Sequence, residues 1–285
     1  LSTTGRAVRV DLAEGVTVTR PTRRSKHDAV QLSLDSTTRG ELVALTSRGR
    51  FVRFTPVDLP SVPPNSVQLA AGAKLRDYVG LTDAKERIVA IADPASSTPL
   101  ALGTRDGVVK RLAPGSLPSR PEGEVIGLKA GDELVGAAPA DDSAELVFVS
   151  SAAQLLHFSA ASVRPQGAAA GGMTGMKLGA GARVIFFGAI DPAGAQVVTI
   201  SGSTQTIAGT DPGRAKVSAF AEFPGKGRAT GGVRCHAFLK GEDALQLAWV
   251  GSDPLAVGSD GSQRALPEGG SRRDGSGTPL DAVIG

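Results

Sequence analysis

Cysteine occurs once in the 285 residues, so no internal disulfide can form, and the thiol sets that hold structural zinc are missing. Aromatic residues make up only 4% of the chain, with one tryptophan and one tyrosine. Base-stacking platforms for single-stranded nucleic acid are therefore poorly supplied. No apolar run approaches the roughly 20 residues of a membrane-spanning helix, so no membrane partner is expected. No basic-then-apolar leader is visible either, which makes a reducing cytoplasm the expected compartment. The chain opens LSTTGRAVRV without an initiating methionine and reads as a fragment of a longer protein.

Catalytic signatures are also missing. The glycine-rich stretch from Gly167 to Gly181 is not followed by Gly-Lys-Ser/Thr, which excludes a P-loop. His27, His157 and His236 are far apart, and Cys235 beside His236 has no further ligand pattern, so no metal or cofactor is expected. The acidic pairs Asp141–Asp142 and Glu242–Asp243 fall in turn-like segments, where solvated turns explain them without a nucleophile and base.

Thirty-seven glycines and 18 prolines are spread along the whole chain, and hydrophobic residues make up 41% of it. That combination suits many short strands joined by tight turns around a real core, an all-β fold. The net charge of +3 is unevenly distributed: residues 1–60 carry +4, 61–120 carry +3, 121–180 carry −4 and 181–285 are neutral. A polyanion would be attracted chiefly to the first 120 residues.

A phrase recurs. LTSRGRFVRFTPVDLP (Leu45–Pro60) aligns with LSTTGRAVRVDL (Leu1–Leu12) and LALGTRDGVVKRLAPGSLP (Leu100–Pro118). Each has an apolar run, a turn with glycine at 5, 49 or 107, and a basic residue four positions later: Arg9, Arg53 and Arg111. Weaker copies at Leu146–Val163, Val197–Thr210 and Pro254–Pro267 put His157, Ala208 and Ala265 in that slot, with Arg264 beside the last and turns at 153, 204 and 261. A Ser/Thr-Gly turn between two short runs is a hairpin signal. Second half-repeats such as Glu124–Ala138, Gly171–Ala189 and Gly231–Gly251 supply two further strands per unit. One small sheet cannot bury its face alone, so six stacked units around an axis are expected, a single propeller-like domain over residues 1–285. Strict alternation forbids both Phe51 and Phe54 from facing one core unless the strand bends, and Arg50 is expected at solvent.

The units resemble the C-terminal repeats of bacterial type IIA topoisomerase A subunits, the DNA gyrase and topoisomerase IV family. TSRGRFVRFTPVDLP, LGTRDGVVKRL, LKAGDELVGA and RPQGAAAGGMTGMKL carry the resemblance, which extends over essentially the whole chain. It implies a six-bladed β-pinwheel, a propeller whose neighbouring blades exchange strands, with duplex DNA bent around a basic perimeter. It implies a non-catalytic fragment, monomeric in isolation, of an ATP-dependent enzyme that joins two A-type subunits to two ATP-binding B-type subunits. Gyrase A subunits carry a first-blade box of the form Q-R-R-G-G-K-G. The matching place here reads TRRSKHD (Thr22–Asp28), keeping Arg23 and Arg24, losing both central glycines and shifting Lys26 by one. Such a box is similar to topoisomerase IV or a divergent gyrase, and argues against gyrase-like chiral wrapping. Tyr78, in KLRDYVGL, lacks the context of a DNA-breakage tyrosine and takes a structural role.

The candidate phosphate contacts follow from the repeat and the basic runs. They are Arg9, Arg53 and Arg111 at the recurring slot, Arg20, Arg23, Arg24 and Lys26 in the box region, and Arg50, Arg105 and Lys110 beside the slots. Lys226 and Arg228, in the box-like echo PGKGRATGG, complete the set; Arg272 and Arg273 lie in a segment with equal acid. Contacts of this kind fix affinity and orientation with little sequence information. A protein-interaction propeller is the alternative, motivated by the acidic stretch Glu122–Glu145. The final TPLDAVIG is a candidate closing strand between the last and first units.

Overall fold

The computed structural model describes residues 1–19, 23–37, 39–207 and 209–285. The first unit contributes β1 (Arg6–Ala7). The second contributes the hairpin β2 (Leu42–Thr46) and β3 (Arg50–Phe54), then β4 (Ala73–Lys74) and β5 (Ile88–Ala92). The third contributes β6 (Leu100–Thr104), β7 (Val108–Leu112), β8 (Glu122–Glu124) and β9 (Leu134–Pro139). The fourth contributes β10 (Glu145–Ser150), β11 (Gln154–Ser159), β12 (Pro165–Gln166), β13 (Met173–Thr174) and β14 (Val184–Ile190). The fifth contributes β15 (Gln196–Gly202), β16 (Arg214–Ala219), β17 (Val233–Arg234) and β18 (Ala244–Gly251), and the sixth β19 (Ala256–Val257), β20 (Gln263–Arg264) and β21 (Thr278–Pro279).

Four complete sheets result, ordered β5-β2-β3-β8, β9-β6-β7-β12 with β13 also on β7, β14-β10-β11-β17, and β18-β15-β16-β21. Each joins a unit's hairpin and its last strand to an outer strand donated by the following unit. The donation keeps one register: Arg50 faces Glu124, Val108 faces Thr174, Gln154 faces Arg234 and Arg214 faces Pro279. In the first unit Arg6 faces Lys74 in the same way. Strand exchange is therefore built into five consecutive junctions. The expectation of six four-stranded blades is met by four; among the described residues the first and sixth units form only two-stranded sheets, β1-β4 and β19-β20.

The strands β5, β9, β14 and β18 pack side by side around the centre, which leaves the donated strands on the perimeter. The inner hairpin strands β2, β6, β10 and β15 are covered on both faces and are buried along nearly their whole length rather than alternating. Phe51 and Phe54 are both buried without any bend, because they point to opposite faces. Phe51 enters the core between the second and third units, Phe54 the core between the first and second. Tyr78 packs edge-on against Phe54 and its hydroxyl donates to the Thr55 carbonyl at 2.6 Å, a structural role.

The tight hairpin turns demand positive φ, supplied by Gly49 (+72°) and Gly107 (+83°) and, in the fourth unit, by Ala153 (+56°). In the fifth unit the turn glycine is Gly213, after a long loop that includes Thr204; the expected slot residue Ala208 lies outside the described residues. The first and last units meet where the His27 N–H donates to the Gly261 carbonyl at 2.7 Å and Arg24 donates to the Ala256 carbonyl at 3.0 Å. Among the described residues the C-terminal TPLDAVIG does not pair with the first unit. Its Thr278–Pro279 completes the fifth unit's sheet, and the Gly285 N–H bonds the Val257 carbonyl. No helix is long and apolar enough to cross a membrane among the described residues.

Candidate nucleic-acid interface

After its hairpin, each unit sends a linker across to the rim of the preceding sheet. Consecutive linkers are tied into a belt by backbone hydrogen bonds. The Lys177 N–H donates to Thr230 O at 2.9 Å, Ala229 N–H to Gly175 O at 2.6 Å and Ala237 N–H to Gly275 O at 3.0 Å. Irregular backbone of this kind leaves carbonyls without ladder partners, and these must be satisfied elsewhere.

The recurring slot satisfies them. Arg9 donates to the Val57 carbonyl at 2.8 Å, and Arg53 to those of Pro118 and Arg120 at 2.8 and 3.0 Å. Arg111 donates to the carbonyls of Ala160 and Val163 at 2.9 and 3.1 Å, and His157 Nε2 lies 2.9 Å from that of Phe223. One register position thus clamps the linker in four successive units. Arg53 spans two carbonyls with Nε and Nη2 of its guanidinium fork, while Arg111 Nη1 bonds two and Arg9 Nη1 one. In the fifth unit the equivalent residue is Val217, and Lys216 beside it donates to the carbonyls of Arg272 and Arg273. Lys110 holds the same register position as Lys216; its ammonium donates to the carbonyls of Val125, Ala168 and Ala170 at 2.7, 2.8 and 2.8 Å. Burial pulls both ammoniums down to about 8, so they remain charged at neutral pH.

Lys110 and Arg111, both expected at phosphate, are 0% and 2% exposed; the Lys110 ammonium donates to linker carbonyls, and Arg111 Nη1 to linker carbonyls and Asp142, while Arg111 Nε has no partner. The other slot residues are also engaged. Arg9 pairs with Asp11, and Arg53 pairs with Glu41. Arg50 is held by both oxygens of the buried Glu86, at 2.7 and 2.9 Å, and by Glu122, rather than standing in solvent. Arg105 pairs with Glu133 and donates to the Gly131 carbonyl, while Arg24 grips Asp28 with two bonds of 2.9 Å. Arg20 lies outside the described residues. Arg23, Lys26 and Lys226 are exposed with no carboxylate within ion-pair distance among the described residues, and Arg228 donates to the Thr174 carbonyl at 2.6 Å.

Half of the 18 basic residues among the first 120 (10 in 1–60, 8 in 61–120) sit in ion pairs. Arg9, Arg24, Arg48, Arg50, Arg53, Arg76, Arg87, Arg105 and Arg111 all sit in ion pairs, several with carboxylates distant in sequence. The exposed, unpaired cations of the belt lie further along, and the sequence reading missed most of them: Arg164, Lys177 and Arg234 join Lys226 there, and Lys74 and Arg120 lie on the rims of earlier sheets. A signal existed in the Arg-Pro dipeptides 120–121 and 164–165, each leading into a donated strand. The core residues near the belt are chemically quiet. Burial pushes the Cys235 thiol up to about 12, and it pulls the His236 imidazole down to about 4.

Donated outer strands, a centre lined by the last strand of each unit, and a linker belt with free cations define a strand-exchanging β-propeller, a β-pinwheel. A family profile described as "DNA gyrase C-terminal domain, beta-propeller" matches residues 40–91, 99–141, 144–191 and 207–242. These are the second to fifth units, and the chain belongs to that family. The DNA gyrase A subunit of Salmonella typhimurium is 30% identical over 219 residues, 74% of this chain and 23% of its own length. That of Mycobacterium tuberculosis is 28% identical over 236 residues, 80% of this chain and 26% of its own. The chain spans about a quarter of the length of these relatives. The "Crystal structure of the C-terminal domain of DNA topoisomerase IV" superposes with a TM-score of 0.68 at 20% identity, covering 86% of this chain and 76% of that one. The "Structure of DNA gyrase A C-terminal domain" superposes with 0.64 at 15% identity, covering 98% and 90%. At these identities the superpositions speak for the fold.

Proposed function

We propose that this chain is a non-catalytic duplex-DNA-binding module of a type IIA topoisomerase A-type chain, presenting DNA to an ATP-dependent strand-passing assembly with B-type subunits. The observation that carries this reading is the belt: the linkers of the fourth and fifth units, tied edge to edge, display Arg164, Lys177, Lys226 and Arg234 with no carboxylate in ion-pair distance among the described residues. Spaced cations on a curved rim suit the phosphates of a bent duplex, with specificity left to DNA deformability rather than base edges. The engagement of Arg24 with Asp28 and Ala256 favours a seam-fastening role for the TRRSKHD segment and supports bending over gyrase-like wrapping.

Duplex affinity measured from low to moderate salt tests the proposal. The log–log slope should be steep, and the triple variant Arg164→Gln, Lys226→Gln, Arg272→Gln should flatten it by about 0.9 for every phosphate that is no longer neutralised. A slope unchanged by the three substitutions would remove these residues from the interface. Religation of a nicked plasmid on the protein separates bending from chiral wrapping: a shift in linking number would favour wrapping, and its absence with binding confirmed would favour bending.

A further inference from the structure

The donated strands place one residue of each of five units at the same register on the rim. These are Lys74, Glu124, Thr174, Arg234 and Pro279. The rim is therefore geometrically repetitive and electrostatically uneven.

From the segment donated by the fourth unit onward it is basic and continuous. Residues 160–180 hold Arg164 and Lys177 and no carboxylate. Arg228 donates to the Thr174 carbonyl and Lys177 N–H to the Thr230 carbonyl, which brings Lys177, Lys226 and Arg228 into one patch. Arg273 donates to the Arg234 carbonyl at 3.0 Å, which extends the patch to Arg234 and to Arg272, whose side chain is 86% exposed. The acids here are few: Glu222 accepts from the Arg273 N–H, Asp274 lies 3.5 Å from Arg272, and Glu268 is exposed.

The rim of the second unit's sheet is the reverse. Its donated strand reads Glu-Gly-Glu, with Glu122 and Glu124 exposed. The arginines behind it are already paired, Arg50 with Glu86 and Glu122 and Arg53 with Glu41. Glu122 is occupied by Arg50, so Glu124 is the carboxylate left to repel phosphate there, with the exposed Arg120 beside it to offset that repulsion; within a Debye length of about 8 Å this edge offers phosphates little net attraction.

We infer that the duplex follows an arc of the rim formed by the segments donated by the fourth, fifth and sixth units, and leaves the ring at the acidic edge of the second unit's sheet. The inference rests on the DNA-binding reading and deepens it by assigning the path.

Register-matched substitutions test it. Arg234→Gln and Lys74→Gln remove a cation from equivalent rim positions, one on the arc and one off it. Each variant is first checked by thermal melting against the parent, and the salt dependence of its affinity for a long duplex is then measured. Arg234→Gln should flatten the log–log slope by about 0.9 and weaken binding several-fold, and Lys74→Gln should leave both unchanged. Equal loss from both variants would mean that DNA circles the whole rim, overturning the arc while leaving DNA binding intact. No change from either, with the parent slope steep, would place the path elsewhere and also overturn it. A parent that binds no duplex would remove the DNA reading itself.

Discussion

Replacing Lys110 by methionine removes the ammonium and keeps most of the side-chain volume. Three hydrogen bonds from a charged donor are lost, each worth about 1.5–3 kcal/mol. Against that, the ammonium's descent from 10.5 to about 8 on burial corresponds to about 3 kcal/mol that the methionine does not incur. The carbonyls of Ala168 and Ala170 lie in a half-exposed linker and rehydrate, whereas that of Val125 stays buried without a donor. Three such bonds less about 3 kcal/mol of desolvation leave a destabilisation of about 1.5–6 kcal/mol, with a fall in melting temperature of at least about 3 °C. Amide hydrogen exchange should accelerate in the linker around Gly167–Gly172. DNA affinity should fall with an unchanged salt slope, because this ammonium touches carbonyls and not phosphate. Unaltered stability and linker exchange would refute the clamp, and a flattened slope would restore Lys110 to the DNA interface.

Three further outcomes follow from the core. His236, 1% exposed and 2.9 Å from Thr199 Oγ1, is held neutral, so the unfolded chain binds its proton first; stability should be full above pH 6.5 and fall by about 3 kcal/mol as pH drops towards 4. Urea denaturation at pH 7 and pH 4.5 should reveal that loss in the parent and a smaller one in His236→Gln. Gly103→Ala would drive a Cβ into the Phe187 ring and should cost about 1–3 kcal/mol in the same assay, where no cost would deny the close packing. Ala153→Gly relieves a positive φ at a turn and should stabilise by about 1 kcal/mol, with a loss of stability counting against strain there.

The repeat, the hairpins and the propeller class were legible because turn glycines and apolar runs are local signals. The fifth turn was misplaced because Gly202–Ser203–Thr204 imitates the hairpin phrase, while the real turn at Gly213 follows an inserted loop. Phe51 and Phe54 posed a conflict only under the assumption of a one-sided sheet; sheets packed on both faces remove it. The site was harder to read for a physical reason. A residue that recurs in register, such as Arg53 or Arg111, recurs because every unit must satisfy the same linker carbonyls. The free cations sit on linkers of differing length and fall out of register. Segment charge sums say little about free charge, since Glu86, Glu122 and Asp142 reach arginines of other segments.

Selective chemical modification of surface lysines and arginines, with and without duplex DNA and read by mass spectrometry, tests the central claim most directly. Protection is expected at Arg164, Lys177, Lys226, Arg234 and Arg272, and unchanged reactivity at Lys74. Reactivity at the belt cations that DNA does not alter, or equal protection around the whole rim, would contradict it.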